Sequence, residues 1–327
     1  MTNATLSSST QEGTTIQVLS PWQMAWRRFR NHKAALFSLG GVFILLAYIW
    51  LGGVFFSRGM CEPTGQYLTA EDYANCNDTA KKLQPPSREH PFGTDTIGRD
   101  ILARTIYGGQ ISLTIGIFAA FVEVIVGVLV GAVAGYFGGW IDDILMRITE
   151  AMLIIPSLFL LIVLSKALGG SVPEIQFLGR TFSGSVVVII FVIGFTSWMY
   201  LARIVRANVL SLKEMDYISA SKALGISHAG IIFKHLLPNT IAPIIVSSTL
   251  GVANAITSEA YVSFLGLGVQ TPTASWGNML DSAVKYLQTA PWLWLFPGMF
   301  IMLTVLCINF VGDGLRDALD PRSTRHI

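Results

Sequence analysis

Charged residues are scarce in this chain of 327 residues, because Asp, Glu, Lys and Arg together make up only 13% of it. Soluble proteins average about 25% of these residues. Hydrophobic residues make up 52% of the sequence and occur in long runs. This composition argues against a soluble domain and predicts an all-α polytopic membrane protein. The net charge of +2 gives no reason to expect a nucleic-acid partner.

Several catalytic and energy-coupling motifs are also missing. No GxxxxGK[ST] loop occurs, so the chain cannot be a self-contained ATP-driven pump. The five histidines show no HExxH spacing, and the GISH stretch at Gly225 lacks the glycine of a GxSG motif. We therefore expect no catalytic residues, no metal and no cofactor in this chain. The chain also lacks a clear internal repeat, which a self-contained ion-driven transporter would usually show.

The N-terminal region divides into a polar tail and a basic segment. Residues 1 to 20 are rich in Ser, Thr, Gln and Gly, which predicts disorder, and they do not resemble a cleaved signal peptide. The segment PWQMAWRRFRNHK, residues 21 to 33, combines two tryptophans with four basic residues. It predicts an interfacial helix on an anionic membrane surface, or only a positive flank for the next helix. Either interpretation makes residues 1–33 a cytoplasmic tail.

Hydropathy predicts about six transmembrane helices. The first covers residues 34–56 and is followed by an extracytoplasmic loop, 57–110. Cys61 and Cys76 in this loop could form a disulfide in an oxidising compartment, or remain as two free thiols. A five-helix core follows at 111–312, and residues 313–327 form a cytoplasmic tail. The core spans are predicted at about 111–136, 144–168, 185–205, 239–261 and 291–311.

Small and acidic residues mark positions inside these spans. Gly127, Gly131 and Gly135 follow each other at intervals of four, a pattern that allows close helix packing in lipid. Glu123 and Glu259 also fall within predicted spans, where a carboxylate is costly. Each could line a pathway or gate, or could form a hydrogen bond between helices.

A polar stretch from Asp216 to Asn239 interrupts the apolar core, within a predicted cytoplasmic loop at 206–238. Asp216 is the predicted N-cap of a short helix that Gly225 ends in a left-handed turn. A second helix is predicted from Ser227 to about His235, before Pro238 opens the next span. The stretch could dock onto a partner or be an ordinary capped loop. The predicted docking face of the first helix comprises Tyr217, Ala220, Ser221 and Leu224.

Separated stretches of the chain, from about Trp22 to Arg322, resemble one family in the same order. They are WRRFRNHKAAL, HPFGTDTIGRDILARTIYGGQISL, GYFGGWIDDILMRITEAMLIIPSLF, ALGISHAGIIFKHLLPN, SEAYVSFLGLGVQTPTASWGNML, PWLWLFPG and GDGLRDALDPR. That family is the C-type permease subunit of dipeptide and oligopeptide ATP-binding-cassette (ABC) importers, a binding-protein-dependent transport system inner-membrane component. The chain departs from the family's EAA loop at Ser219, Ser221 and His235. Its long first extracytoplasmic loop also departs from the family pattern.

The resemblance implies a type I ABC importer permease fold in the inner (plasma) membrane, with both termini cytoplasmic. The chain would form half of a pathway with a second homologous permease, and 217–225 would be a coupling helix for one of two ABC ATPase subunits. Those subunits would hold ATP and Mg²⁺ and perform hydrolysis, and an extracytoplasmic binding protein would deliver the peptide. The loop from Phe264 to Tyr286 would belong to the outer gate or docking surface, or merely pack the bundle.

The resemblance leaves the cargo open. Relatives of the family also carry nickel complexes, glutathione or oligosaccharides, so these remain alternatives to a peptide. An ion-driven secondary transporter is the alternative of a different class.

Overall fold

The computed structural model describes residues 20–55, 59–61, 64–68, 70–168, 170–177 and 180–320. The predicted disordered tail, apart from Ser20, and the last seven residues lie outside this part of the chain. So does residue 56, the predicted end of the first span.

The first half of the chain forms a short N-terminal helix, one apolar helix, a small polar region and one very long helix. Ser20 caps the first helix by accepting a hydrogen bond from the backbone N–H of Gln23. The elements are α1 (Pro21–Asn31), α2 (Lys33–Phe55), β1 (Gly59–Cys61), β2 (Gln66–Leu68), α3 (Ala70–Ala74) and α4 (Ile101–Phe137). β1 and β2 pair antiparallel.

The second half contains a bent helix pair, a second antiparallel hairpin and three further long helices. Its elements are α5 (Gly139–Ile154), α6 (Ser157–Leu168), β3 (Ile175–Phe177), β4 (Arg180–Phe182), α7 (Gly184–Lys213), α8 (Asp216–Ala223), α9 (His228–Ile231), α10 (Leu237–Asn239), α11 (Ile241–Phe264), α12 (Trp276–Ala283) and α13 (Trp292–Leu319). A π-helical turn, Ile232–Leu236, joins α9 to α10.

Five described helices, α2, α4, α7, α11 and α13, are long and apolar enough to cross a membrane. The pair α5 and α6 passes the same test together but bends by 91° between its two halves. Counting the pair as one span gives six, which confirms the predicted all-α polytopic fold of about six spans. The β-structure in the described residues is limited to two small hairpins and one isolated bridge between Thr94 and Asp100.

The predicted span 144–168 is therefore not one straight helix. The chain breaks at Ile155, whose backbone is extended at φ −74° and ψ 123°. Pro156 follows, and proline disfavours a helical conformation in the residue before it. The break divides the predicted third span into α5 and α6.

The long helix α4 begins at Ile101, so the last ten residues of the predicted loop 57–110 are helical. Asp100 caps the helix, because its carboxylate accepts a hydrogen bond from the N–H of Ala103 over 2.8 Å. Hydropathy hides this start, because Arg104 and Gln110 lie within the first turns and are nevertheless buried. With 37 residues, α4 is about 55 Å long and extends well beyond a ~30 Å hydrocarbon layer.

Two other predicted boundaries also shift because helices run past their apolar segments. α7 continues to Lys213, so the first part of the predicted cytoplasmic loop 206–238 is helical. α13 continues to Leu319, so residues 313–319 belong to a helix rather than to the predicted tail. Arg28 of α1 donates a hydrogen bond to the carbonyl oxygen of Asp320 at the end of this helix, over 2.9 Å.

The helices α4 and α7 pack closely along the predicted glycine ridge. A Cβ atom on Gly127 would lie 3.0 Å from the carbonyl oxygen of Trp198, and one on Gly135 would lie 2.9 Å from that of Arg206. A Cβ on Gly131 would overlap the carbonyl oxygen of Ala202. The small-residue ridge is thus confirmed as a helix contact, and its partner is α7.

Candidate functional site

The predicted docking helix is α8, and the left-handed turn after it is present. Gly225 has φ +74°, and its N–H donates to the carbonyl oxygen of Lys222 over 3.0 Å. The prediction that Asp216 is the N-cap is wrong. Met215 occupies that position in an extended conformation with no side-chain cap, and Asp216 is the first helical residue. Its carboxylate is still placed at the positive end of the helix dipole.

The exposed face of α8 differs from the predicted face in one residue. Tyr217 is 41% exposed and Leu224 is 82% exposed, and Ala220 between them is also exposed. Ser221 instead faces inward, and its hydroxyl donates to the carbonyl oxygen of Tyr217 over 2.7 Å. Within the predicted face, the residues available to a partner are therefore Tyr217, Ala220 and Leu224, at positions i, i+3 and i+7. Ser221 was assigned to the wrong face because a 3.6-residue period places it between the two faces.

The buried face of α8 anchors it to the membrane helices. Ile218 is fully buried and packs in a cluster with Val205 and Val209 of α7 and with Leu236 of the π-helical turn. Movement of α8 must therefore act on the end of α7. Sequence reasoning missed Ile218, although an apolar residue beside the predicted docking face indicates such an anchor.

The segment after Gly225 ties the loop to α4 as well. Ser227 caps α9 by accepting a hydrogen bond from the N–H of Gly230 over 3.2 Å. The Tyr136 hydroxyl lies 2.7 Å from His228 Nδ1, and Lys222 of α8 lies 6.0 Å from the centre of the same tyrosine ring. The predicted second helix keeps its start but changes to π-helical geometry at Ile232. Pro238 lies exposed in α10, close to its predicted place at the start of the next span.

The carboxyl group of Glu259 lies at the junction of α4, α11 and α12 and is fully buried. It accepts hydrogen bonds from the hydroxyls of Ser112, over 3.0 Å, and Ser263, over 2.7 Å. Ser112 in turn accepts a hydrogen bond from the backbone N–H of Trp276, over 3.1 Å. In this conformation Glu259 faces neighbouring helices rather than a cavity.

The loop after α11 packs onto this junction. Trp276 is fully buried, and its Nε1 donates to the carbonyl oxygen of Thr105 over 2.8 Å. The N–H of Val269 donates to the hydroxyl of Ser263 over 3.0 Å. These contacts favour the packing interpretation for 264–286. Phe264, which is also predicted as a possible gate or pathway residue, is 38% exposed at the end of α11.

Glu123 is separate from this junction. Its side chain on α4 is 8% exposed, and a Cβ on Gly251 of α11 would lie 2.8 Å from its Oε2. The glycine therefore provides the space that the carboxyl group occupies. Positions 251 and 259 are about 12 Å apart along α11, so the structure does not bring the two predicted carboxylates together.

The polar region between α2 and α4 is held to the N-terminal ends of α4 and α13. Cys61 and Cys76 form a disulfide with Cα atoms 5.9 Å apart. Arg104 of α4 donates to the carbonyl oxygen of Ala74 over 3.3 Å. Trp292 Nε1 of α13 donates to the carbonyl oxygen of Thr94 over 3.1 Å.

An exposed ion pair and a buried polar contact lie in the same region. Lys81 Nζ lies 2.9 Å from Glu89 Oε1, and this hydrogen bond lowers the pKa of the exposed Glu89 carboxyl group. His90 Nδ1 lies 2.7 Å from Oδ2 of Asp100, the residue that caps α4, and both side chains are buried. These contacts fix the polar loop without an extensive core of its own.

Sequence reasoning missed a set of charged residues on α5. Arg147 and Glu150 lie inside the predicted span 144–168, and both are exposed in the structure. Their spacing from Asp143, at i+4 and i+7, places the three residues on one face of a helix. This periodicity within an apolar segment was the available signal.

Comparison with known families matches two parts of the chain. Residues 127–325 match the model described as binding-protein-dependent transport system inner membrane component. Residues 20–86 match the model described as the N-terminal TM domain of oligopeptide transport permease C.

Curated relatives extend the similarity over almost the whole chain. The dipeptide transport system permease protein DppC of Alkalihalophilus pseudofirmus is 41% identical over 93% of this chain and 91% of its own length. The oligopeptide transport system permease protein OppC of Bacillus subtilis is 40% identical over 93% of this chain and 90% of its own length.

A solved structure shows the same fold at low identity. The MetNI methionine ABC transporter, in inward-facing conformations, contains a chain that is 18% identical, with a TM-score of 0.51. The match covers 67% of this chain and 98% of that one. α1 and α2 precede the residues that the larger family model matches. The chain is thus a multi-pass membrane protein with the fold of an ABC importer permease, and it belongs to the family of binding-protein-dependent transport system inner membrane components.

Proposed function

We propose that this chain is the transmembrane permease subunit of an ATP-driven importer of dipeptides or oligopeptides, and that it forms half of the translocation pathway. The observation that carries the proposal is the geometry of α8. Its face with Tyr217 and Leu224 is exposed, while its other face is fixed to the transmembrane helices through Ile218. A short helix of this kind can receive a force from a partner and pass it to the bundle. The names of the relatives support the peptide class.

The partners follow from this role. A second homologous permease would complete the pathway, and each permease would place its coupling helix in a cleft of one of two ABC ATPase subunits. ATP and Mg²⁺ would bind to those subunits, and hydrolysis would occur there rather than on this chain. An extracytoplasmic binding protein would deliver the peptide to the outer side.

The orientation follows from the basic residues around α1. Arg27, Arg28 and Arg30 precede the first long helix, and this basic flank supports a cytoplasmic N-terminus for a protein of the inner (plasma) membrane. Membrane lipid is the expected partner of this helix, whose Trp22 and Trp26 are each 59% exposed. With six spans, the C-terminus is also cytoplasmic, and α8 lies on the ATPase side.

The coupling step is a rigid-body movement. ATP-driven closure of the ATPase subunits would displace α8, and the cluster around Ile218 would transmit this displacement to α7. The glycine ridge packs α7 closely on α4, so the two helices would move together. The contact between Tyr136 and His228 gives α4 its own connection to the loop. Such movement of packed helices would switch the pathway between inward and outward states.

Co-purification tests the assembly directly. The tagged chain would be extracted in mild detergent with its neighbouring proteins expressed together, and the co-purifying chains would be identified by mass spectrometry. We expect a second permease and two ATPase subunits in one complex, with the binding protein joining when peptide is present. A chain that purifies alone and moves solute without ATP would contradict the proposal and favour an ion-driven transporter. Transport of nickel complexes, glutathione or oligosaccharides in place of peptides would retain the class and change the cargo.

A further inference from the structure

A row of charged side chains lies on an exposed face formed by α5 and α7. On α5 the row consists of Asp143, Arg147 and Glu150, at positions i, i+4 and i+7. On α7 the facing residues Arg203 and Arg206 are three positions apart. The residues line an open groove of about 850 Å³ that contains both acidic and basic groups. This charged groove is lined by Asp143, Arg147, Glu150, Tyr200, Arg203 and Arg206.

The contacts between α5 and α7 show where the groove lies along the two helices. Arg206 of α7 forms an ion pair with Asp142 near the start of α5. Toward the other end of α5, Met152 packs against the cluster that contains Trp198 of α7. The helices are therefore antiparallel, and Glu150 lies about 12 Å from Asp142 along α5, by the helical rise. This places Glu150 beside the apolar part of α7.

Charges at this depth cannot be directed into hydrocarbon at low cost. Residues 184–202 of α7 contain no Asp, Glu, Lys or Arg and are about 28 Å long, close to the thickness of a membrane core. Glu150 is nevertheless exposed next to them, and Arg147 and Arg203 are exposed nearby. Among the described residues, none of these three side chains has a hydrogen bond or an ion pair. Charged side chains are stable in such a position where water or a polar partner reaches them.

We propose that the charged groove is the inner part of this subunit's half-pathway and that it receives the charged ends of a zwitterionic peptide. Arg147 and Arg203 would face the peptide carboxylate, and Asp143 and Glu150 would face its ammonium group. The mixture of signs favours this ligand, because an anionic lipid headgroup would require basic residues alone. The proposal rests on the proposed function and adds the residues that contact the cargo.

Charge removal gives the first test. Arg147→Gln and Glu150→Gln would be assembled in the full complex and reconstituted with the binding protein, and uptake of a labelled dipeptide would be measured. Arg88→Gln, which removes an exposed charge from the extracytoplasmic loop, is the control. We expect each groove variant to lower the maximal uptake rate by about threefold to fivefold, the size of an exposed ion pair, and the control to match the wild type.

Peptide uptake by the wild-type complex distinguishes a failure of the groove proposal from a failure of the proposed function. If the wild type imports no peptide, the proposed function fails. If the wild type imports peptide and both groove variants assemble and match it, the proposed function stands and the charged groove is not the contact site.

Cysteine accessibility gives the second test, because it reports on water rather than on charge. Met146 lines the groove, whereas Ile148 is 50% exposed on another side of the same helix. In a Cys307→Ala background, Met146→Cys should react with a membrane-impermeant thiosulfonate reagent in inside-out vesicles, and Ile148→Cys should not. A saturating dipeptide should slow the Met146→Cys reaction.

Two outcomes of the labelling would overturn the proposal. No reaction at Met146→Cys in the assembled complex would show that lipid or the second permease covers the groove. A reaction that peptide leaves unchanged while uptake continues would show a wet surface that is not on the cargo's route.

Discussion

Ser112 of α4 donates a hydrogen bond to the carboxyl group of Glu259 of α11, over 3.0 Å, in a site closed to solvent. The same serine accepts a hydrogen bond from the N–H of Trp276 at the start of α12. One small polar network therefore joins α4, α11 and α12. Because buried polar groups are costly without partners, this network favours a structural role for Glu259.

Replacement of Glu259 should therefore reduce stability. Glu259→Ala removes the acceptor of two hydroxyl groups and leaves a cavity, with an expected loss of about 2–4 kcal/mol. Glu259→Gln keeps the size and one acceptor oxygen, so its loss should be smaller, about 1 kcal/mol. Thermal unfolding of the purified complex in detergent measures both effects. Unchanged stability in both variants, with altered peptide-stimulated ATPase activity, would assign Glu259 to the gate instead.

Gly225 should tolerate only residues that adopt a left-handed backbone. Its φ of +74° strains any β-branched side chain, so Gly225→Val should displace α8 at a cost of about 1–2 kcal/mol or more. Gly225→Asn is the matched control, because asparagine enters this conformation more readily. ATPase activity and peptide uptake would be measured on the same reconstituted complexes. We expect hydrolysis without uptake in the Val variant and near-normal coupling in the Asn variant, and efficient uptake with valine would refute the role of the turn.

The two faces of α8 should give different defects. Leu224→Ser changes a side chain that is 82% exposed, so the permease should stay folded but bind the ATPase subunits less tightly. Ile218→Ala removes a fully buried side chain and should cost about 2–4 kcal/mol of stability. Thermal unfolding and size-exclusion chromatography separate the two effects. If the Leu224 variant unfolds early while its assembly is normal, the exposed face is not the docking face.

The disulfide between Cys61 and Cys76 predicts resistance to alkylation. Cys61 and Cys76 should not react with iodoacetamide in the unfolded, non-reduced protein, whereas Cys307 should react. The Cys76→Ser variant should destabilise the loop, with an upper estimate of about 3 kcal/mol from the chain-entropy model. Intact mass before and after reduction should differ by about two protons for the one bond. Alkylation of all three thiols without reductant would contradict the pairing.

Long apolar runs and the glycine at the end of α8 made much of the fold predictable. The long spans are present, and Gly225 forms the expected turn. The start of α4 was not predictable from hydropathy, because Arg104 and Gln110 are buried through tertiary hydrogen bonds. Gln110, for example, donates to the carbonyl oxygen of Ile49 on another helix over 2.9 Å. Such contacts across the sequence have no local signal.

The candidate site was only partly predictable for a related reason. The spacing located α8, but the division of its residues between docking and anchoring depends on where α7 lies. Because of the position of α7, Ile218 and Ser221 face the helix bundle. The groove residues Arg147 and Glu150 were overlooked because an average over an apolar span hides a charged stripe of period 3.6.

ATP-dependent uptake tests the central claim most directly. The complex purified through this chain would be reconstituted in proteoliposomes with the binding protein on the side opposite α8, and accumulation of a labelled dipeptide would be followed with ATP and Mg²⁺ on the α8 side. The account predicts accumulation that requires both ATP and the binding protein and that Gly225→Val abolishes. Accumulation driven by an ion gradient without ATP would contradict it.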